Sequence, residues 1–173
     1  MTSKDRVFLL DANIFIEAKR RYYAFDLCPG FWESIKALHE DKRLYSIDRI
    51  KDELEKGGDD LAEWACKEMP AACFLSTDNE SITGCYGQIV SWVSEQDQFL
   101  DAAKAEFASD PDGWLIACAC ARQLAIVTHE VYSPDAQRRV HIPNVCRQFG
   151  VEYFDTFKML RELHVRFHWK SGG

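Results

Sequence analysis

The chain has 173 residues, 47% of them apolar and 28% charged, with a formal net charge of −7. That length suits one domain with one substantial core, and the balance is globular rather than disordered or membrane-embedded. The negative charge argues against gripping nucleic acid by bulk electrostatics, yet leaves room for a nuclease whose acids are neutralised by divalent metals.

No stretch approaches the roughly 20 apolar residues of a membrane span. The run Val7-Phe8-Leu9-Leu10 is cut by Asp11 and preceded by Asp5, so no signal peptide is visible. Seven cysteines, an odd number without repeated spacing, read as reduced thiols of a cytoplasmic protein rather than a disulfide framework. The closing Ser171-Gly172-Gly173 reads as a frayed end.

In chain order, residues 6–10 form a short apolar run of the kind buried in a parallel sheet, and Asp11 ends it. Residues 13–21 place Ile14, Phe15 and Ala18 on one helical face, and 22–30 form a connection. A helix over 31–39 turns Trp32, Ile35 and Leu38 inward, and 44–46 is a brief strand. Asp48 caps the next helix, which carries Ile50 and Leu54 and stops at Gly57-Gly58. Residues 59–69 are amphipathic through Leu61, Trp64 and Ala65 until Pro70, and 72–75 read as a further strand. Helices are expected over 81–93 and 96–107, then an apolar helix opened by Asp110-Pro111 and running to about Arg122. A strand over 124–128, a polar loop over 130–143, a strand over 151–154 and a helix over 156–168 complete the pattern. Alternating strands and helices, with no repeat or linker between them, predict one α/β domain with a parallel sheet covered on both faces.

In such a sheet, ligands gather outside the carboxyl ends of the strands. Several acids fall there. Asp11 directly follows the first strand, where capping the next helix is its alternative role. After the second strand, Ile47, Ile50 and Leu54 mark a buried stripe that Asp52 points away from. Glu53 and Glu55 border its two sides, and spacing alone leaves both open. Asp110 has a structural job as cap, and Asp112 falls in the first turn, where the helix dipole favours its ionised form. A carboxylate held there, beside the apolar run 114–119, suits a metal ligand. Glu130 follows the strand at 124–128 by two residues. Hard ions such as Mg²⁺ take oxygen ligands, and a two-ion nuclease site needs roughly three or more acids to balance its charge.

Four segments in order resemble the PIN-domain family, which includes the VapC-like toxin ribonucleases of bacterial toxin–antitoxin pairs. They are Phe8-Leu9-Leu10-Asp11-Ala12-Asn13-Ile14-Phe15-Ile16, Ile50-Lys51-Asp52-Glu53-Leu54, Asp112-Gly113-Trp114-Leu115-Ile116-Ala117-Cys118-Ala119 and Ala125-Ile126-Val127-Thr128-His129-Glu130. The likeness spans residues 6–155, and the segment 77–107 is longer than in the shortest such toxins, which implies an outlying branch. The resemblance implies a PIN-like three-layer fold around a central parallel sheet of about five strands. It also implies a metal-dependent endoribonuclease that hydrolyses RNA to leave a 5′-phosphate, using Mg²⁺ or Mn²⁺. By position, Asp11, Glu53 and Asp112 become the metal-binding acids, with Asn13 and Thr128 as supporting polar residues. Glu130 takes the fourth place, where the family more often has Asp, and Asp135 is the alternative fourth acid. A toxin role would bring a cognate antitoxin as partner, with a homodimer as the other candidate assembly.

Arg20, Arg21, Arg138 and Arg139 are the basic pairs nearest these motifs and are candidate RNA phosphate contacts, with Tyr22 and Tyr23 as candidate base-stacking partners. Against each stands the plainer role of solvated surface charge. A phosphatase forming an aspartyl-phosphate needs a second acid two residues after the first, and Asn13 stands there. The alternative from another class is a catalytically silent PIN-like module that binds RNA or protein. Cys118 and Cys120 face different ways on a helix and read as buried thiols. His164 and His168, four apart on the expected last helix, lack a third ligand for zinc. Ser133 has no recognisable base, and no Gly-rich phosphate loop is present.

Overall fold

The computed structural model describes residues 6–169, so the terminal Ser171-Gly172-Gly173 lies outside the described residues. Five strands, β1 (Phe8–Leu10), β2 (Leu44–Ile47), β3 (Phe74–Leu75), β4 (Ala125–Val127) and β5 (Tyr153–Phe154), form one sheet in the order β3-β2-β1-β4-β5. Every pairing is parallel. The central strand β1 is fully buried through Phe8, Leu9 and Leu10, which is why it reads as an unbroken apolar run rather than an alternating one. Phe8 pairs with Leu44 on one side and Ala125 on the other.

The helices are α1 (Ala12–Glu17), which continues into a π-turn at Ala18–Tyr22, α2 (Pro29–Glu40), α3 (Asp48–Lys56) and α4 (Asp60–Lys67). After β3 come α5 (Glu80–Glu95), α6 (Asp101–Ser109) and α7 (Asp112–Arg122), then α8 (Ile142–Phe149) between β4 and β5, and α9 (Thr156–Glu162) last. The chain winds from β1 out to β3, then crosses back to β4 and on to β5. With right-handed crossovers, that reversal puts α1 to α4 on one face and α5 to α8 on the other. The packing agrees, since α3 touches α4 and α1 while α5, α7 and α8 touch one another. The expected α/β architecture is what the chain adopts.

Four local expectations are corrected. Asp48 is the first residue of α3 rather than its N-cap, and its carboxylate accepts from the Arg49 amide of that helix as well as from the amide and hydroxyl of Thr77. Asp110 does not cap α7 either. It closes α6, and Pro111 takes the capping position. The helix expected over 96–107 starts only at Asp101, because Gln96–Leu100 is pinned outside helical geometry. Gln98 donates to the carbonyls of Pro134 and Ala136, and the Leu100 amide to Gln137. The last helix ends at Glu162 rather than 168, with His164 in the left-handed region at φ 57, so His164 and His168 do not share a helix face.

One helix is absent from the expected pattern. Pro143 looks like the end of a loop in the sequence, but it sits at the start of α8, where its missing N–H costs nothing. Ile142, Val145 and Cys146 then pack inward at helical spacing. Among the described residues, no helix is long and apolar enough to cross a membrane.

Candidate functional site

Strand order reverses between β1 and β4, and the crevice beyond their carboxyl ends is where such a sheet presents its ligand site. Asp11 emerges there from β1 and Thr128 from β4, bridged by a hydrogen bond of 2.9 Å from Thr128 Oγ1 to Asp11 Oδ2. Helix α3 follows β2 and carries Glu53 over the same edge. Helix α7 runs back antiparallel toward β4, which brings its first residue, Asp112, to that edge as well. A cleft of about 440 Å³ results, lined by Asp11, Glu53 and Asp112 together with Asn13, Asp52 and Asp110. Its cations are Arg49, Lys56 and Arg139.

The three acids singled out from sequence are therefore brought together, and their surroundings disfavour charge. Asp11 is 2% exposed. Burial first, then repulsion from Glu130 and Glu53, pushes its carboxyl up to about 6, with the Thr128 hydroxyl opposing. Asp112 goes further: burial, then Asp11 and Glu130, push it up to about 8, and Arg139 offsets only part. The helix dipole should favour ionisation at this position, so desolvation and like charges outweigh it. Among the described residues no hydrogen bond reaches the Asp112 carboxylate, and its nearest cation, Arg139, stands 3.9 Å off. Glu53 is pushed upward by partial burial, then by Asp110.

Glu130 occupies a different position. It lines an adjoining groove with Tyr22, His129, Tyr132 and His141 rather than the acid cleft itself, and Asn13 and Arg139 belong to both. Its Oε2 accepts the Ile142 amide at 2.7 Å, so Glu130 supplies the cap that α8 lacks from its own N-cap residue. Oε1 lies 2.6 Å from the Arg139 guanidinium in an ion pair without hydrogen-bond alignment. Both oxygens are thus engaged, yet the charge is close enough to raise Asp11 and Asp112.

The remaining expected residues divide clearly. Asn13 stands at the junction of cleft and groove. Of the four arginines, Arg139 reaches the cleft and Arg21 the groove, where it pairs with Glu17 at 2.8 Å. Arg20 and Arg138 line neither, nor does the exposed Asp135. Tyr22 is exposed along the groove, whereas Tyr23 is stacked on Phe31 with centroids 4.4 Å apart and packs, half-buried, against the core. The choice between Glu53 and Glu55 is resolved, because Glu55 turns to α4, accepting from the Cys66 thiol and pairing with Lys51. Arg49 and Lys56 were not singled out from sequence, although a signal exists. Residues 49, 53 and 56 recur at spacings of four and three on one face of α3.

Among the described residues, no three Asp, Glu, His or Cys side chains form a ready-made metal cage. The donor set still fits a hard divalent cation. It is all carboxylate, it is short of compensating charge, and it includes the largely buried Asp112, which lacks a hydrogen bond. Mg²⁺ in particular asks for only one or two carboxylates and fills its remaining positions with water.

Fold and cleft together define an α/β protein with an acidic site at the switch point of a five-stranded parallel sheet. The chain belongs to the family described as Domain of unknown function (DUF4411), whose profile matches residues 8–167. No curated protein and no solved structure matches it.

Proposed function

We propose that this chain is a metal-dependent endoribonuclease of PIN-like type, with Asp11, Glu53 and Asp112 as the acids that would hold Mg²⁺ or Mn²⁺. The observation that carries this reading is the meeting of these acids in one cleft, two of them pushed far above the ordinary carboxylate range. When bound, such an ion polarises a phosphoryl oxygen and lowers the pKa of water, the two needs of phosphodiester hydrolysis. The protein's own part is positioning. Thr128 fixes the rotamer of Asp11, the start of α7 fixes Asp112, and α3 carries Glu53 to the rim. Asn13 stands where the cleft opens into the groove, a place to meet the substrate backbone. Single-stranded or structured RNA is the substrate class, with the exposed Tyr22 ring of the groove suited to an unpaired base.

The physiological role in this reading is that of a toxin restrained by a cognate antitoxin. On this reading, expression of the chain alone should arrest growth, and Asp11→Asn should relieve the arrest. One observation favours a second reading, a silent RNA- or protein-binding module: Arg139 already pairs with Glu130 and approaches Asp112, acting as a built-in cation. Incubating a panel of labelled RNAs with purified protein and Mg²⁺ or Mn²⁺ separates the two. The nuclease gives chelator-sensitive cuts with 5′-phosphate ends. Intact RNA across the panel, together with harmless expression, defeats it.

A further inference from the structure

Arg49 stands in a cleft crowded with carboxylates and pairs with none of them. Among the described residues it makes no ion pair, although Asp52, Glu53, Asp110 and Asp112 line the same cavity. Its guanidinium lies over the Trp114 ring at 4.0 Å from the centroid. Tyr86 stacks on Trp114 as well, at 3.8 Å between centroids and 10° between planes. Two partners so close cannot share one face, so the indole is sandwiched between phenol and guanidinium, with no face left for a base. The stack is locked at both ends. Tyr86 donates to the Ala108 carbonyl at 2.9 Å, and Arg49 Nε donates to Thr77 Oγ1 at 3.0 Å. Thr77 is 2% exposed and is itself held by Asp48. Gly113 makes room for this arrangement, since a Cβ there would lie 3.0 Å from the Tyr86 ring.

With Nε engaged and one planar face on Trp114, the two terminal nitrogens of Arg49 keep their N–H donors for the cleft. A cation that is stacked, braced and left unpaired among acids is preorganised for an anion from outside. Arginine's fork matches the geometry of phosphate oxygens. We infer that Arg49, carried by the Tyr86–Trp114 stack and braced by Thr77, is a preformed phosphate-binding subsite that grips the backbone of a single-stranded polynucleotide in the cleft. This assignment rests on the nuclease reading and adds a substrate-binding residue to it.

The test is the binding of a fluorescent single-stranded RNA, followed by anisotropy in chelator across a salt series. The protein is the Asp112→Asn variant, which should abolish hydrolysis, with and without Arg49→Gln. The expected result is about a tenfold loss of affinity, in line with one charged hydrogen-bonded contact. The slope of log affinity against log salt should fall by about 0.7, the value for one phosphate on a single strand. Arg49→Lys should restore the slope but only part of the affinity, because it keeps the charge and loses the fork. A merely structural Arg49 would change the thermal melt and leave the salt slope alone. Equal affinity and equal slope with and without Arg49→Gln overturn the assignment, and if the wild type still cuts RNA the nuclease reading survives. A parent variant that binds no polynucleotide, from a wild type that cuts none, overturns both.

Discussion

Asp48 and Asp112 each open a helix at the carboxyl edge of the same sheet, and the fold treats them in opposite ways. The Asp48 carboxylate accepts from the Thr77 amide at 2.9 Å and the Thr77 hydroxyl at 2.8 Å, tying the loop after β3 to the start of α3. Asp112 receives no hydrogen bond among the described residues, and Asp11 and Glu130 press on it as like charges. A buried carboxylate without donors is a standing expense of folding, whereas Asp48, with three donors counting the Arg49 amide, is a joint. On the proposed reading, the difference separates a residue kept for structure from one kept for a ligand. It also explains why position at a helix start, which both share, does not tell the two roles apart.

The largest expected effect falls on activity. Asp11→Asn and Asp112→Asn should each lower RNA cleavage by about 100-fold or more while the circular dichroism spectrum stays that of the wild type. Asp48→Asn should leave the cleavage rate within about tenfold. Equal losses at Asp48 and Asp112 would erase the contrast.

Stability should invert that order. Asp48→Ala leaves the buried Thr77 hydroxyl and amide without their acceptor and should lower unfolding free energy by about 1–3 kcal/mol. Glu130→Ala should lose a similar amount, about 1–3 kcal/mol, by stripping the Ile142 amide at the head of α8. Asp112→Asn should cost nothing in metal-free protein, and denaturant melts of the three variants compare them directly.

The pH dependence sharpens the contrast further. Asp112 rises from an ordinary 3.8 to about 8 on folding, so across that window the folded state keeps a proton that the unfolded state has released. Stability is therefore lost as the pH rises from about 4 to about 8, by up to about 1.4 kcal/mol per pH unit. Asp11 adds a parallel loss up to about pH 6. Melts of metal-free wild type should fall across this range and those of Asp112→Asn should fall less. A wild-type curve that climbs toward pH 8 would reverse the sign and sink the account of Asp112.

The smallest effect is expected at Gly113. Alanine there presses on Tyr86 and Phe107, an overpacking of about 1–3 kcal/mol, offset by about 1 kcal/mol of better helix propensity. A net loss of about 1 kcal/mol in melts should accompany weaker RNA binding, because the stack beneath Arg49 shifts. Unchanged RNA binding would show that the stack tolerates the methyl group.

Much of this was legible in the residues, for physical reasons. The buried run Phe8-Leu9-Leu10 ending on Asp11 marks a central parallel strand and the edge where the acids gather, because apolar continuity needs two covered faces. Asp112 in a first turn and Glu53 beside a buried stripe follow from helical spacing. What spacing could not give was long-range pairing. That Asp48 is occupied by Thr77, 29 positions away, and Glu130 by Ile142 and Arg139 depends on how loops close in space. Helix α8 was hidden because a proline opening a helix and a proline ending a loop look alike in sequence. The Tyr86–Trp114–Arg49 stack unites three helices distant in sequence, so no local pattern announces it.

The most direct test is calorimetric titration of Mg²⁺ or Mn²⁺ into metal-free wild type, Asp112→Asn and Asp48→Asn near neutral pH. The predicted result is saturable binding to wild type and Asp48→Asn, releasing protons because Asp112 must ionise, and binding weakened by about tenfold or more in Asp112→Asn. A wild type that binds neither ion, or an Asp112→Asn variant that binds as tightly as wild type, would contradict the claim that this cleft is a divalent-metal site.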